Sequence, residues 1–160
     1  MKKILFVTSE AVPFIKTGGL ADVAGSLPKC FNKEEFDVRV ILPKYLCMSE
    51  EWKNKMNYVT HFYMDLSWRS QYVGVLEMQY DGVQFYFIDN EYYFSGPKPY
   101  GNIYQDIEKF AFFSKAALSA LPLIGFQPDI VHCHDWQTGL VPVLLKDKFH
   151  EGEFFRNMKS

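Results

Sequence analysis

Ile4 to Thr8 is a short continuous apolar run, the pattern of a strand buried on both faces of a parallel sheet. A glycine pair follows, and Leu20, Val23, Ala24, Leu27 and Phe31 then recur at helical spacing. Pro28 inside that pattern predicts a kink or an early helix end. Asp37 to Leu42, with Val38, Val40 and Leu42 on one face, reads as a second strand stopped by Pro43. Strand, helix, strand is the opening of a doubly wound α/β domain. The middle differs: Tyr58 to Leu66, Gln71 to Tyr80 and Val83 to Asp89 read as three strands, and Asp81-Gly82 between the last two predicts a hairpin. A β-hairpin or meander insertion is therefore expected there, followed by an irregular aromatic loop over residues 90–104. Asp106 is the expected N-cap of a helix carrying Phe110, Phe113, Ala117 and Leu121 on one face. Beyond the Gly125/Pro128 break, Ile130-Val131-His132 reads as a short strand. Asp135 or Thr138 then caps a helix bearing Leu140, Val143 and Leu144.

Composition narrows the class. A chain of 160 residues with 48% hydrophobic content suits one globular domain and leaves no room for two. The net charge is -2 and the Lys and Arg residues are scattered, without the basic stripe of a nucleic-acid binder. Cys30, Cys47 and Cys133 form no paired framework, which fits a reducing, cytoplasmic setting. Thr8, Ser9 and Glu10 end the first apolar run too early for a signal peptide. The Phe110 to Phe126 stretch is broken by Lys115 and Pro122, so no membrane span is expected.

Two motifs sit at strand ends. In Lys16-Thr17-Gly18-Gly19-Leu20, glycine lets the backbone approach a ligand, while a helix N-terminus and Lys16 supply positive charge. That combination suits a diphosphate, although a Gly-Gly pair can equally just make the strand-to-helix turn. It is neither G-x-G-x-x-G nor the Walker lysine loop, which counts against a nicotinamide enzyme or an ATPase. In His132-Cys133-His134-Asp135, the two histidines share a face and could hold a metal, but His61 and His150 are isolated and no further ligand has sensible spacing. A packed His132 is the preferred reading, with no metal site. His134 lies where strand gives way to helix, and ligands of open α/β sheets bind outside the carboxyl ends of strands. If the strand holding Val131 lies beside the first, His134 and Lys16 line one crevice.

Pro13 to Val23, the first strand ending Ser9-Glu10, Tyr104-Gln105-Asp106 before an aromatic helix, and His132 to Gly139 together resemble the bacterial glycogen synthases and plant starch synthases, in order along the whole chain. Ile107 and Lys109 depart from the residues more usual there. The resemblance implies a retaining glucosyltransferase of two facing Rossmann-like domains (the GT-B arrangement). Its donor would be ADP-glucose, its acceptor the non-reducing end of an α-1,4-glucan, and no cofactor or metal is expected. Residues 1–160 would be the N-terminal catalytic domain in part, inactive alone, with most nucleotide contacts supplied by a second domain. By the same resemblance His134 lies beside the reacting glucose and Asp106 positions acceptor or donor sugar. Lys16 with the Gly18 and Gly19 amides is expected to stabilise the departing diphosphate. Glu10 could touch sugar hydroxyls or simply end a loop. The tyrosine-rich loop with Tyr92, Tyr93, Phe94, Tyr100 and Tyr104 could hold glucan or merely pack. A non-catalytic glucan-binding module and a metal hydrolase on His132 and His134 are the rival classes. The strand holding Ile130 and Val131 is expected to present a bare sheet edge that promotes self-association.

Overall fold

A computed structural model describes residues 1–160. Six strands form one mixed sheet: β1 (Lys2–Val7), β2 (Phe36–Pro43), β3 (Asn57–Leu66), β4 (Arg69–Tyr80), β5 (Val83–Asp89) and β6 (Ile130–Cys133), in the order β3-β4-β5-β2-β1-β6. β5, β2, β1 and β6 are parallel, and β3 and β4 extend the sheet antiparallel beside β5. The doubly wound core and the hairpin extension are thus both present. At the Asp81-Gly82 turn both residues have positive φ, 51° and 75°, which matches the right-handed twist of the flanking strands.

Four α-helices accompany the sheet: α1 (Gly19–Ser26), α2 (Glu50–Lys53), α3 (Ile103–Ala120) and α4 (Leu140–Leu144). The chain moves from β1 to β2 in one direction along the sheet and from β5 to β6 in the other. Right-handed crossovers therefore put α1 and α3 on opposite faces. Side-chain parity agrees. Phe6 and Phe85 point to the α1 side, where they meet Phe31 and Phe14, whereas Arg39 points the other way, onto the Phe126 ring beyond α3. The core gathers 37 buried apolar residues, including Phe110, Phe113, Ala117 and Leu121 as expected of α3. No helix is long and apolar enough to cross a membrane.

Several expectations are corrected. Asp106 is not the cap of α3. Asn102 is, its side chain accepting the Tyr104 N–H at 2.9 Å, and Asp106 lies one turn further in, freed for other partners. Pro28 ends α1 early, in a 3-10 turn over Leu27–Cys30, but the buried face of α1 is Ala21, Ala24 and Gly25, while Val23 and Leu27 are exposed. Small residues face the sheet because helix and backbone meet closely: a Cβ on Gly25 would lie 2.4 Å from the Val12 carbonyl oxygen. In α4 Val141, and just beyond it Leu145, turn inward and Leu140 and Val143 outward. His132 is exposed rather than packed, because β6 ends the sheet and only the Phe6 and His134 rings flank it. The β6 edge is partly covered too. Val131 donates to the Lys159 carbonyl at 2.7 Å, Lys159 donates to Asp129 at 3.0 Å, and Phe155 of the same tail is buried.

Candidate active site

The sheet changes winding direction between β1 and β6, so their carboxyl ends border the crevice where ligands of such folds bind. His134 follows β6 directly and is buried. Its Nδ1 lies 3.0 Å from the carbonyl oxygen of Val7, the last residue of β1, and a carbonyl can only accept. Nδ1 therefore carries the proton, leaving Nε2 as an acceptor, and Nε2 is buried with no protein partner. Burial holds the imidazole below its ordinary pKa, so the neutral ring is favoured. Thr138 fixes the backbone here: its hydroxyl accepts the His134 N–H at 2.6 Å and donates to the His134 carbonyl at 2.8 Å. Asp135 adopts φ 61° and ψ -175°, a strained conformation for a residue with a side chain, and caps the Trp136 N–H at 2.7 Å. The His132 and His134 rings lie 4.5 Å apart, but no third His, Cys, Asp or Glu joins them to make a metal cage.

Past β1, Thr8, Ser9 and Glu10 are polar yet almost fully buried. Thr8 Oγ1 donates to the Glu10 carbonyl, and Tyr45 donates its phenol to the Ser9 carbonyl. The Glu10 carboxylate reaches across the Ala11–Ile15 turn and accepts both the N–H and the hydroxyl of Thr17. Lys16 is half exposed and paired with Asp22 at 2.7 Å. Gly18 and Gly19 have no positive φ, and a Cβ on either would meet no atom within 4 Å. α1 starts at Gly19 without a side-chain cap, and no protein acceptor takes the N–H groups of Gly18, Gly19 or Leu20. Orphan donors, the positive end of the helix dipole and Lys16 thus face one open side.

The aromatic loop over residues 90–104 closes the opposite wall. Ser9 Oγ and Tyr100 Oη are 2.6 Å apart, and burial pushes the Tyr100 phenol up to about 12. Asp106 is buried with both oxygens engaged: one accepts the Gly101 N–H at 2.8 Å, and the other pairs with Lys109 at 2.7 Å. Lys109 also donates to the Pro99 carbonyl at 2.7 Å. Tyr93 donates to Glu108 at 2.8 Å, and Arg69 pairs with the same carboxylate. A cavity of about 440 Å³ lies between this loop and α3, with Tyr92, Tyr93, Asp106 and Lys109 in its wall. A second of about 440 Å³ opens between Lys16, Thr17 and the loop, and the two share Pro97, Lys98 and Tyr100.

A family model for the starch synthase catalytic domain matches residues 3–160. The chain belongs to that family. It is 68% identical over all 160 residues to the glycogen synthase of Lachnospira eligens and 52% identical over 158 residues to that of Geobacillus thermodenitrificans. It spans 34% and 32% of the length of these relatives, about a third. Among solved structures it resembles the catalytic domain of starch synthase IV from Arabidopsis thaliana bound to ADP and acarbose. The TM-score is 0.78 at 30% identity, covering 94% of this chain and 31% of that one.

In this starch synthase family domain, Lys16, Gly18 and Gly19 share one loop, and His134 stands at the adjacent strand end. Asp106 joins them only indirectly, through the aromatic loop that Tyr100 ties to Ser9 and that Asp106 itself ties at Gly101. The sequence reading left Thr17 and Lys109 without roles and gave Tyr100 only as one ring of a loop that could hold glucan or pack. Asp106 and Lys109 are three apart on a helix, a spacing that signals their pairing. Nothing local marks the Glu10–Thr17 or Ser9–Tyr100 bonds, which depend on how distant turns meet.

Proposed function

We propose that the chain forms one wall of the active-site cleft of a cytoplasmic, retaining glucosyltransferase moving glucose from ADP-glucose to the non-reducing end of an α-1,4-glucan. A second α/β domain would complete the donor site. The observation that carries this reading is the uncapped start of α1, with three free N–H groups beside Lys16 at the switch in strand order. Loss of ADP from the anomeric carbon builds negative charge on the diphosphate, and fixed donors stabilise it without reorganising. The pairing of Lys16 with Asp22 is exposed and costs little to exchange for a phosphate. His134 offers an unpaired, unprotonated Nε2 at the same rim, fit to accept from a sugar hydroxyl beside the reacting carbon. Asp106 acts by holding the Pro99–Gly101 backbone against the cavity where the acceptor end would lie. That the starch synthase IV neighbour was solved with ADP and acarbose supports both ligand classes. The residues on this wall supply charge and hydrogen bonds by themselves, in keeping with a reaction that uses no metal.

Transfer of labelled glucose from ADP-glucose to glycogen by the full-length protein tests the reading. Lys16→Ala should lower the rate roughly 10²–10³-fold, the usual result of removing one donor from a developing anion. An unchanged turnover and donor KM would refute the phosphate role.

A further inference from the structure

Glu10 is 2% exposed, an unusual place for a carboxylate that has no cation within salt-bridge reach. Its partner is Thr17, seven residues on, whose N–H it accepts at 3.0 Å and whose hydroxyl donates to the same oxygen. Thr17 stands between Lys16 and Gly18. The chain from Ala11 to Ile15 closes on itself through the Phe14 and Ile15 N–H bonds to the Ala11 carbonyl, so the Glu10–Thr17 bonds reach over a finished turn. Beneath Glu10, the Ser9 backbone is held by Tyr45 and its side chain by Tyr100. The clamp is therefore anchored in the core at one end and grips the loop in front of α1 at the other. We infer that Glu10 is a positioning residue: through Thr17 it sets where the Lys16 ammonium and the Gly18 and Gly19 amides meet a nucleoside diphosphate.

This rests on the donor-loop reading above. Without the clamp the turn remains, but the segment from Lys16 to Gly19 loses its hydrogen-bonded tie to buried structure, since Lys16 bonds only Asp22 of α1 and the Gly18 and Gly19 N–H groups have no protein acceptor. Displacing preorganised donors by about 1 Å costs on the order of a hundredfold. The effect falls chiefly on the donor, because the acceptor-side cavity, although it shares Tyr100 with the donor side, has bonds of its own at Asp106 and Lys109.

The test is titration of the full-length protein with ADP, with donor and acceptor KM measured alongside. Glu10→Ala should weaken ADP binding and raise the ADP-glucose KM by about ten- to a hundredfold, leaving the glycogen KM unchanged. Glu10→Gln, whose amide oxygen can still accept both bonds, should restore both values. Thr17→Val, which loses only the hydroxyl, should show the same donor-specific loss at a wild-type melting temperature, and it carries the test if Glu10→Ala does not fold. A lowered melting temperature with unchanged ADP affinity, or no rescue by Gln, would overturn the inference. If Lys16→Ala weakens ADP while Glu10→Ala and Thr17→Val do not, only the positioning role falls. If the wild-type protein takes no ADP, the donor-loop reading falls with it.

Discussion

The turn at Asp81-Gly82 and the turn at Gly18-Gly19 each join two regular elements, and they use glycine for different reasons. Gly82 needs it: φ is 75°, a conformation that L side chains resist. Gly18 and Gly19 occupy ordinary backbone conformations with open space where a side chain would stand. The same contrast runs through the two ends of the sheet. On the antiparallel side β3, β4 and β5 bond to one another and rings such as His61, Tyr63 and Tyr72 pack together, although Arg69 Nε and one Asp89 oxygen are buried without a hydrogen-bond partner. The rim between β1 and β6 keeps orphan N–H groups at α1, a buried carboxylate at Glu10 and an unpaired Nε2 at His134. Of these only the α1 N–H groups and His134 Nε2 lack a protein partner, since Glu10 is satisfied by Thr17, and orphan groups gathered at one rim are the kind that a ligand could satisfy.

The largest stability effect is expected where glycine is demanded by packing. Gly25→Ala puts a methyl group within 3 Å of three Val12 atoms, two of them backbone. It should cost about 1–3 kcal/mol, lowering the melting temperature by roughly 2–4 °C per kcal/mol. A wild-type melting curve would mean that α1 sits further from Val12. Next comes Gly82→Ala, at about 1–2 kcal/mol for forcing a left-handed residue, while the flexible Lys33 end can move aside. Donor use should be untouched, and a loss of ADP-glucose turnover at normal stability would blur the contrast between the two turns.

The strands of the antiparallel side were legible because they obey local rules. Alternation located β3 to β5, Asp81-Gly82 located the turn, and Val83–Asp89 was found to the residue. The sequence put the motif loop and His134 each at a strand end, but left their adjacency conditional on β6 lying beside β1, which the sheet order supplies. What failed was decided by distant contacts. Apolar periodicity marked Val23 and Leu27 as inward, but the close approach of Val12 admits only Ala and Gly on that face. Asp106 looks like a cap because caps and first-turn carboxylates share a composition. What separates it from Asn102 is the Tyr104 N–H, which donates to the Asn102 side chain. The short helix α2 and the return of Lys159 to β6 left no periodic signal.

A smaller effect comes from pH. Burial lowers the folded-state pKa of His134, so the unfolded chain takes up a proton that the folded chain resists. Its contribution to stability is complete above the unfolded value of about 6.5 and is lost as pH falls through that value towards the folded one. His134→Gln should flatten that part of the decline in unfolding midpoint between neutral and mildly acidic pH. An unaltered slope would show that the ring takes up its proton in place.

The smallest stability effect, and the most direct test of the whole account, belongs to Gly19. Gly19→Ala in the full-length protein adds a methyl group to open space at the first position of a helix that Ala favours, so stability should stay level or rise by up to about 1 kcal/mol, with the melting temperature level or slightly raised. The same methyl group would stand where the donor diphosphate must approach the backbone. Glucose transfer from ADP-glucose should fall at least tenfold, on the order of 1.4 kcal/mol, in that more stable protein. A destabilised protein with wild-type transfer would contradict the account, because it would make Gly19 a requirement of the fold and leave the open rim without a ligand to explain it.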